Sequence, residues 1–118
     1  MKILVIDDNK ENTSCLFKFF KGKGFSIIVS NDPMKGLRHI QQEKFDVILL
    51  NVSTSVVRGV GVIELLASDN ILKDQNIFIF SDEDIPNIQL KNLLRRDGVS
   101  GFLKKPIDPD EILTIINF

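Results

Sequence analysis

The chain has 118 residues, 43% hydrophobic and 26% charged, the balance of one ordinary globular domain over 1–118, which excludes a disordered or collagen-like chain. With 15 Lys+Arg against 16 Asp+Glu the formal net charge is -1, so nothing draws the chain as a whole to nucleic acid or to a membrane surface. One cysteine, Cys15, and one histidine, His39, exclude an intrachain disulfide, a multi-cysteine metal site and a His-based catalytic pair, and a reducing, cytoplasmic setting is expected.

In chain order, the opening apolar run ends at Asp7 and Asp8, far short of a signal-peptide core. No later run approaches the ~18 apolar residues of a membrane span. Residues 3–6 begin a series of short apolar runs, continued by 25–29, 47–50, 77–80 and a weaker 101–103. They are rich in Ile, Val and Phe and continuous rather than alternating, as strands are when helices cover both faces of a parallel sheet. Between them, residues 12–21 place Leu16, Phe17, Phe19 and Phe20 on a broad helical stripe, and 33–42 place Met34, Leu37 and Ile40 at helical spacing. Asn31-Asp32-Pro33 and Ile107-Asp108-Pro109 each offer a capping residue before a proline at the first helical position. Arg95-Arg96-Asp97-Gly98 reads as a charged helix end that satisfies its own last carbonyls and is stopped by Gly98. Strands alternating with such helices imply right-handed βαβ units and a doubly wound, five-stranded α/β sheet.

In open sheets of this kind, ligands bind beyond the carboxyl ends of the strands. Asp7 and Asp8 follow the first run, Asn51 the third, Ser81 the fourth and Lys104-Lys105-Pro106 the fifth. Two carboxylates, an amide, a hydroxyl and an ammonium are therefore expected to converge on one crevice.

Four segments carry a resemblance to a known family: Ile3-Leu4-Val5-Ile6-Asp7-Asp8-Asn9, Phe45-Asp46-Val47-Ile48-Leu49-Leu50 leading to Asn51, Phe78-Ile79-Phe80-Ser81, and Gly101-Phe102-Leu103-Lys104-Lys105-Pro106. In this order, with 43, 30 and 24 residues separating Asp8, Asn51, Ser81 and Lys105, they make the chain similar to the receiver domains of two-component response regulators, the CheY-like family. The resemblance covers essentially the whole chain. It implies a flavodoxin-like sheet of strand order 2-1-3-4-5 and a signalling module rather than an enzyme. It also implies that Asp7 and Asp8 are a Mg²⁺ pair, that position 51 is the phospho-acceptor, that Ser81 and Phe102 are switch residues, and that Lys105 neutralises the phosphate. The implied partner is a histidine kinase, phosphotransfer or effector protein, docking on exposed residues from 85 to 105, with Leu90, Leu93 and Leu94 as candidates.

Position 51 is Asn where the family has Asp. A carboxylate attacks phosphorus with a localised lone pair and a full negative charge, and a carboxamide has neither. One carboxylate fewer also lowers the expected crevice charge from three negatives to two. Mg²⁺ is held mainly by anionic oxygens, and at ~4 Å and an effective dielectric near 20 a unit charge pair is on the order of 4 kcal/mol before desolvation and screening. Weak or absent Mg²⁺ binding and no ordinary aspartyl phosphorylation are expected. An ion pair of Lys105 with Asp7 or Asp8 would leave the Asn51 amide to donate to a carboxylate or a backbone carbonyl. The loop after Asn51, residues 52–61, has no proline and Arg58 near where acid is common, so a metal-coordinating Ser53 carbonyl is uncertain in position.

Blander readings stand beside these. Asp7-Asp8 also suits a turn with a helix cap, and Asp82-Glu83-Asp84 reads as a solvated turn with Asp84 capping before Pro86. Cys15 and His39 are expected on helices without a role. The leading hypothesis is a pseudo-receiver that works by protein contact in one resting conformation. A second keeps the phosphorelay role, through an acceptor aspartate changed to Asn51 or through another carboxylate such as Asp8 or Asp46. An enzyme is third: a haloacid dehalogenase phosphatase needs a second Asp where this chain has Asn9, and Asp7-Asp8-Asn9-Lys10-Glu11 is too acidic for a flavodoxin phosphate loop.

Overall fold

The computed structural model describes residues 1–52, 58–104 and 107–116. In chain order the elements are β1 (Lys2–Ile6), α1 (Lys10–Gly22), β2 (Ser26–Ser30), α2 (Pro33–Gln42), β3 (Val47–Asn51), α3 (Arg58–Ser68), a single 3-10 turn (Leu72–Asp74), β4 (Ile77–Phe80), α4 (Asn87–Leu94), β5 (Val99–Phe102) and α5 (Pro109–Ile116). The strands form one parallel sheet in the order β2-β1-β3-β4-β5, the flavodoxin-like topology expected. Among the described residues, no helix is long and apolar enough to cross a membrane.

The continuous apolar runs are explained by two cores, one on each face of the sheet. Side chains alternate across a strand, so Leu4, Ile6, Ile48 and Leu50 pack with Leu37 and Ile40 of α2, Ile63 and Leu66 of α3 and Leu93 of α4. Ile3, Val5, Val47 and Leu49 face the other way, onto Leu16 and Phe20 of α1 and Ile112 and Ile116 of α5. Because both faces are covered, every residue of β1 from Ile3 onward and all of β3 must be apolar except where a strand ends.

Both expected proline starts hold. Asp32 accepts a hydrogen bond from the Met34 amide at 2.9 Å ahead of Pro33, and Asp108 accepts one from the Asp110 amide at 2.9 Å ahead of Pro109. Gly98 ends the α4 segment with φ of +100°, a conformation that disfavours any side chain, and its carbonyl receives the Ile77 amide at 2.8 Å. Four readings are corrected. Met34 is 51% exposed, because the inward position on α2 falls to Gly36, which sits against Ile6. β5 begins at Val99 rather than 101, since its pairing with β4 shifts at Ile77/Phe78. α4 starts after Pro86 with no side-chain cap, so Asp84 does not cap it. The side chain of Arg96 reaches Glu64 on α3 instead of serving the carbonyls of its own helix end.

Candidate functional site: an amide-bridged acidic crevice

The parallel register aligns the carboxyl ends of the strands. Ile6 pairs with Leu50 and with Ser30, and Asn51 pairs with Phe80, so the residues following β1, ending β3 and following β4 emerge side by side. Ladder-type hydrogen bonds continue past the strand ends, from the Asp7 amide to the Ser30 carbonyl at 3.0 Å and from the Val52 amide to the Phe80 carbonyl at 2.7 Å. This rigid edge holds the crevice.

Asp7 is the buried acid at its centre, 2% exposed. Oδ1 accepts from the Asn9 amide at 3.1 Å and from Asn51 Nδ2 at 2.9 Å, and Oδ2 accepts from Asn12 Nδ2 at 2.7 Å. Three neutral donors thus offset the cost of burying the group. Asn9 also caps α1 by accepting from the Asn12 amide, so the helix start and the acid are fixed together. Asn31, read from sequence only as part of a helix-capping segment, donates to the Asp7 carbonyl at 2.8 Å and to Thr13 Oγ1 at 3.0 Å, tying the end of β2 to the same corner.

The Asn51 side chain has the role expected of it, and more. Its Nδ2 donates to Asp7 Oδ1 at 2.9 Å and to Asp82 Oδ2 at 2.8 Å, so one NH₂ bridges two carboxylates from opposite sides. The nitrogen must stand there, because ionised carboxylates only accept. Asp82 corrects two readings at once. It is exposed, as a solvated turn implies, but it is also a member of the site, and Asp7, Asp8 and Asp82 present carboxylate oxygens within 4.8 Å of one another. The crevice therefore keeps three carboxylates although position 51 is an amide.

Ser81 is buried at the end of β4, and its Oγ accepts from the Glu83 amide at 3.1 Å. Phe102 is half-buried against the core on the α2–α4 face. Lys105, with the proposed ion pair, and the Ser53 carbonyl lie outside the described residues. Asp46 is at the amino end of β3, where it accepts from the Lys2 amide at 2.7 Å, and so sits at the opposite edge of the sheet from Asp7. That placement removes it as a substitute acceptor at this crevice. Leu93 is buried in the core and is withdrawn from the docking candidates, whereas Leu94 is 38% exposed and Ile88 76%. Cys15 is exposed on α1.

The sequence pattern of the response regulator receiver domain matches residues 3–117. The chain belongs to the response regulator receiver domain family. Among curated relatives, this receiver is 25% identical over 111 residues to the Bacillus subtilis alkaline phosphatase synthesis transcriptional regulatory protein PhoP, covering 94% of this chain and 45% of that protein. It is 23% identical over 116 residues to protein PilH of Pseudomonas aeruginosa, covering 98% and 94%. The receiver spans about half of the transcriptional regulators ycf29 and CrdR and 16% of the Vibrio cholerae sensor kinase CqsS. Among solved structures, the Francisella response regulator 1452 receiver domain superposes with a TM-score of 0.80 at 26% identity, covering 98% of this chain and 93% of that one. A Burkholderia pseudomallei response regulator, solved with a phosphorylated aspartic acid and a calcium ion, superposes with a TM-score of 0.81 at 22% identity, covering 98% and 65%. Receivers are signalling modules of two-component systems that interact with kinases, phosphotransfer proteins and effectors, and they commonly bind Mg²⁺ in an acidic pocket.

Proposed function

We propose that this chain is a single receiver domain over 1–118 that acts in the cytoplasm as a protein-interaction module independent of phosphorylation. The observation that carries the reading is the Asn51 amide, hydrogen-bonded to Asp7 and Asp82 where the family presents an acceptor carboxylate. Its nitrogen lone pair is delocalised into the carbonyl and its oxygen is neutral, so no oxyanion at position 51 is available to attack phosphorus. The bridge also takes over part of what a cation does in such a pocket, by placing positive hydrogen ends between negative groups.

Asp7, Asp8 and Asp82 are the residues that would hold Mg²⁺, and three carboxylates are a fitting donor set for it. Bound there, the ion would supply charge neutralisation between the carboxylates and an incoming phosphoryl oxygen. It must compete with the Asn51 NH₂ for Asp7 and Asp82, so the affinity is weak, for this reason rather than for a missing third charge. The docking surface is the exposed part of residues 85–105, where Ile88 and Leu94 stand out on α4 beside Lys91 and Arg95. Its partner is a kinase, phosphotransfer or effector protein.

Incubating the chain with acetyl phosphate or phosphoramidate and Mg²⁺, followed by intact mass measurement, tests the reading. No gain of mass is expected; a gain of one phosphoryl group, mapped to Asp8 or any other crevice residue, contradicts it.

A further inference from the structure

We propose that Asp82 is a positioning residue matched to Asn51, so that restoring a carboxylate at position 51 alone does not rebuild a phosphoryl-binding crevice. The inference rests on the reading of Asn51 given above and deepens it.

Its basis is the geometry of the bridge. The two hydrogens of the Asn51 NH₂ point to Asp7 Oδ1 at 2.9 Å and Asp82 Oδ2 at 2.8 Å. A carboxylate at position 51 has the same shape but no hydrogens, so it would face two acceptors at hydrogen-bond separation with nothing to share between them. Asp8 stands in the same cluster, so among the described residues four carboxylates would meet at one strand edge. Like charges at such distances oppose one another, screened by water at the exposed Asp8 and Asp82 and least screened at the buried Asp7, and a doubly negative phosphoryl group adds to the opposition. Asp82 also directly follows Ser81, in a turn already set by the Glu83 amide donating to Ser81 Oγ. Its carboxylate reaches the Asn51 amide at the end of β3 from the turn that follows β4. Removing the Asp82 carboxylate relieves the crowding: the crevice then returns to three acids, with the one at position 51 placed at the end of β3.

The test compares four forms of the full chain: native, Asn51→Asp, Asp82→Ala and the double variant Asn51→Asp/Asp82→Ala. Amide resonances of Ser81 and Phe102 are followed during titration with beryllofluoride in Mg²⁺, and melting temperatures are measured in a chelator. The native chain and Asp82→Ala should stay silent to beryllofluoride. Asn51→Asp should melt below the native chain, and the double variant should regain part of that loss. The double variant should respond to beryllofluoride at a concentration about tenfold or more below that needed by Asn51→Asp. The proposal is overturned if Asn51→Asp responds as well as the double variant, if the double variant stays silent, or if the melting shifts of the single changes simply add. Should Asn51→Asp fail to fold, a folded double variant that responds still supports the pairing, and one that also fails to fold counts against it. A response by the native chain would overturn the reading of Asn51 itself and this proposal with it, an outcome separable from the others.

Discussion

Asp7 is a buried carboxylate held by neutral donors, and its two side-chain donors can be removed singly. Asn12→Ala deletes the 2.7 Å bond to Oδ2, and Asn51→Ala deletes bonds to both Asp7 and Asp82. A hydrogen bond to a charged group contributes about 1.5–3 kcal/mol, so Asn12→Ala should lower stability by roughly that amount in chemical denaturation. Asn51→Ala should cost at least as much, since it also leaves two carboxylates facing each other without a bridging donor. A cost below ~0.5 kcal/mol for either would show that water replaces the side chain freely at this corner. Sequence reading found Asp7, Asp8, Asn51 and Ser81 because each directly ends or follows an apolar run. It missed Asn12 and Asn31, whose amides serve the site from a helix and from a strand end with no periodic signal. It also passed over Asp82, because nothing in a run of three exposed acids tells which carboxylate reaches the Asn51 amide.

At the scale of elements, the helix starts were legible and the glycine constraints were not. Asp32→Ala removes a cap bond to Met34 and should cost about 1 kcal/mol. The two glycines differ for physical reasons. A Cβ at Gly36 would come within 2.7 Å of side-chain atoms of the buried Ile6, a contact that Ile6 can partly yield, so Gly36→Ala should cost about 1–3 kcal/mol. At Gly98 the added carbon would run into the backbone carbonyl of Leu72 while the residue holds φ of +100°, and Gly98→Ala should cost roughly 2–5 kcal/mol. Thermal or urea unfolding of the two variants checks the order, and a milder loss at Gly98 than at Gly36 contradicts it. Gly98 was read as a helix stop. That it also delivers its carbonyl to Ile77 and starts the β4–β5 pairing depends on a partner strand twenty residues away, which no local pattern reveals. The late start assigned to β5 has the same origin: Ser100 and Gly101 dilute its apolar run, and its identity comes from pairing with β4.

For the whole molecule, a parallel sheet covered on both faces brings the carboxyl ends of its strands to one edge, and this is why the doubly wound sheet read from apolar runs also located the crevice, while the strand order came from the family resemblance. If Ser81 and Phe102 switch as the family resemblance implies, an event at that crevice must favour one arrangement of the Ser81 loop and Phe102 over another. On the reading proposed above, the internal hydrogen-bonded bridge of Asn51 stands at the same place and would keep one arrangement whatever the phosphoryl donor. Binding to a partner through the α4–β5 surface should consequently be insensitive to acetyl phosphate, whereas Ile88→Asp, at a 76% exposed position, should weaken it without changing the melting temperature. The central claim is tested most directly by nitrogen-15 NMR of the native chain during addition of Mg²⁺ and beryllofluoride. The Ser81 and Phe102 backbone signals should stay in place, and Mg²⁺ should cause only small shifts at Asp7, Asp8, Asp82 and the Asn51 side-chain amide, which competes with the ion for Asp7 and Asp82. A saturable displacement of the Ser81 and Phe102 signals would contradict it.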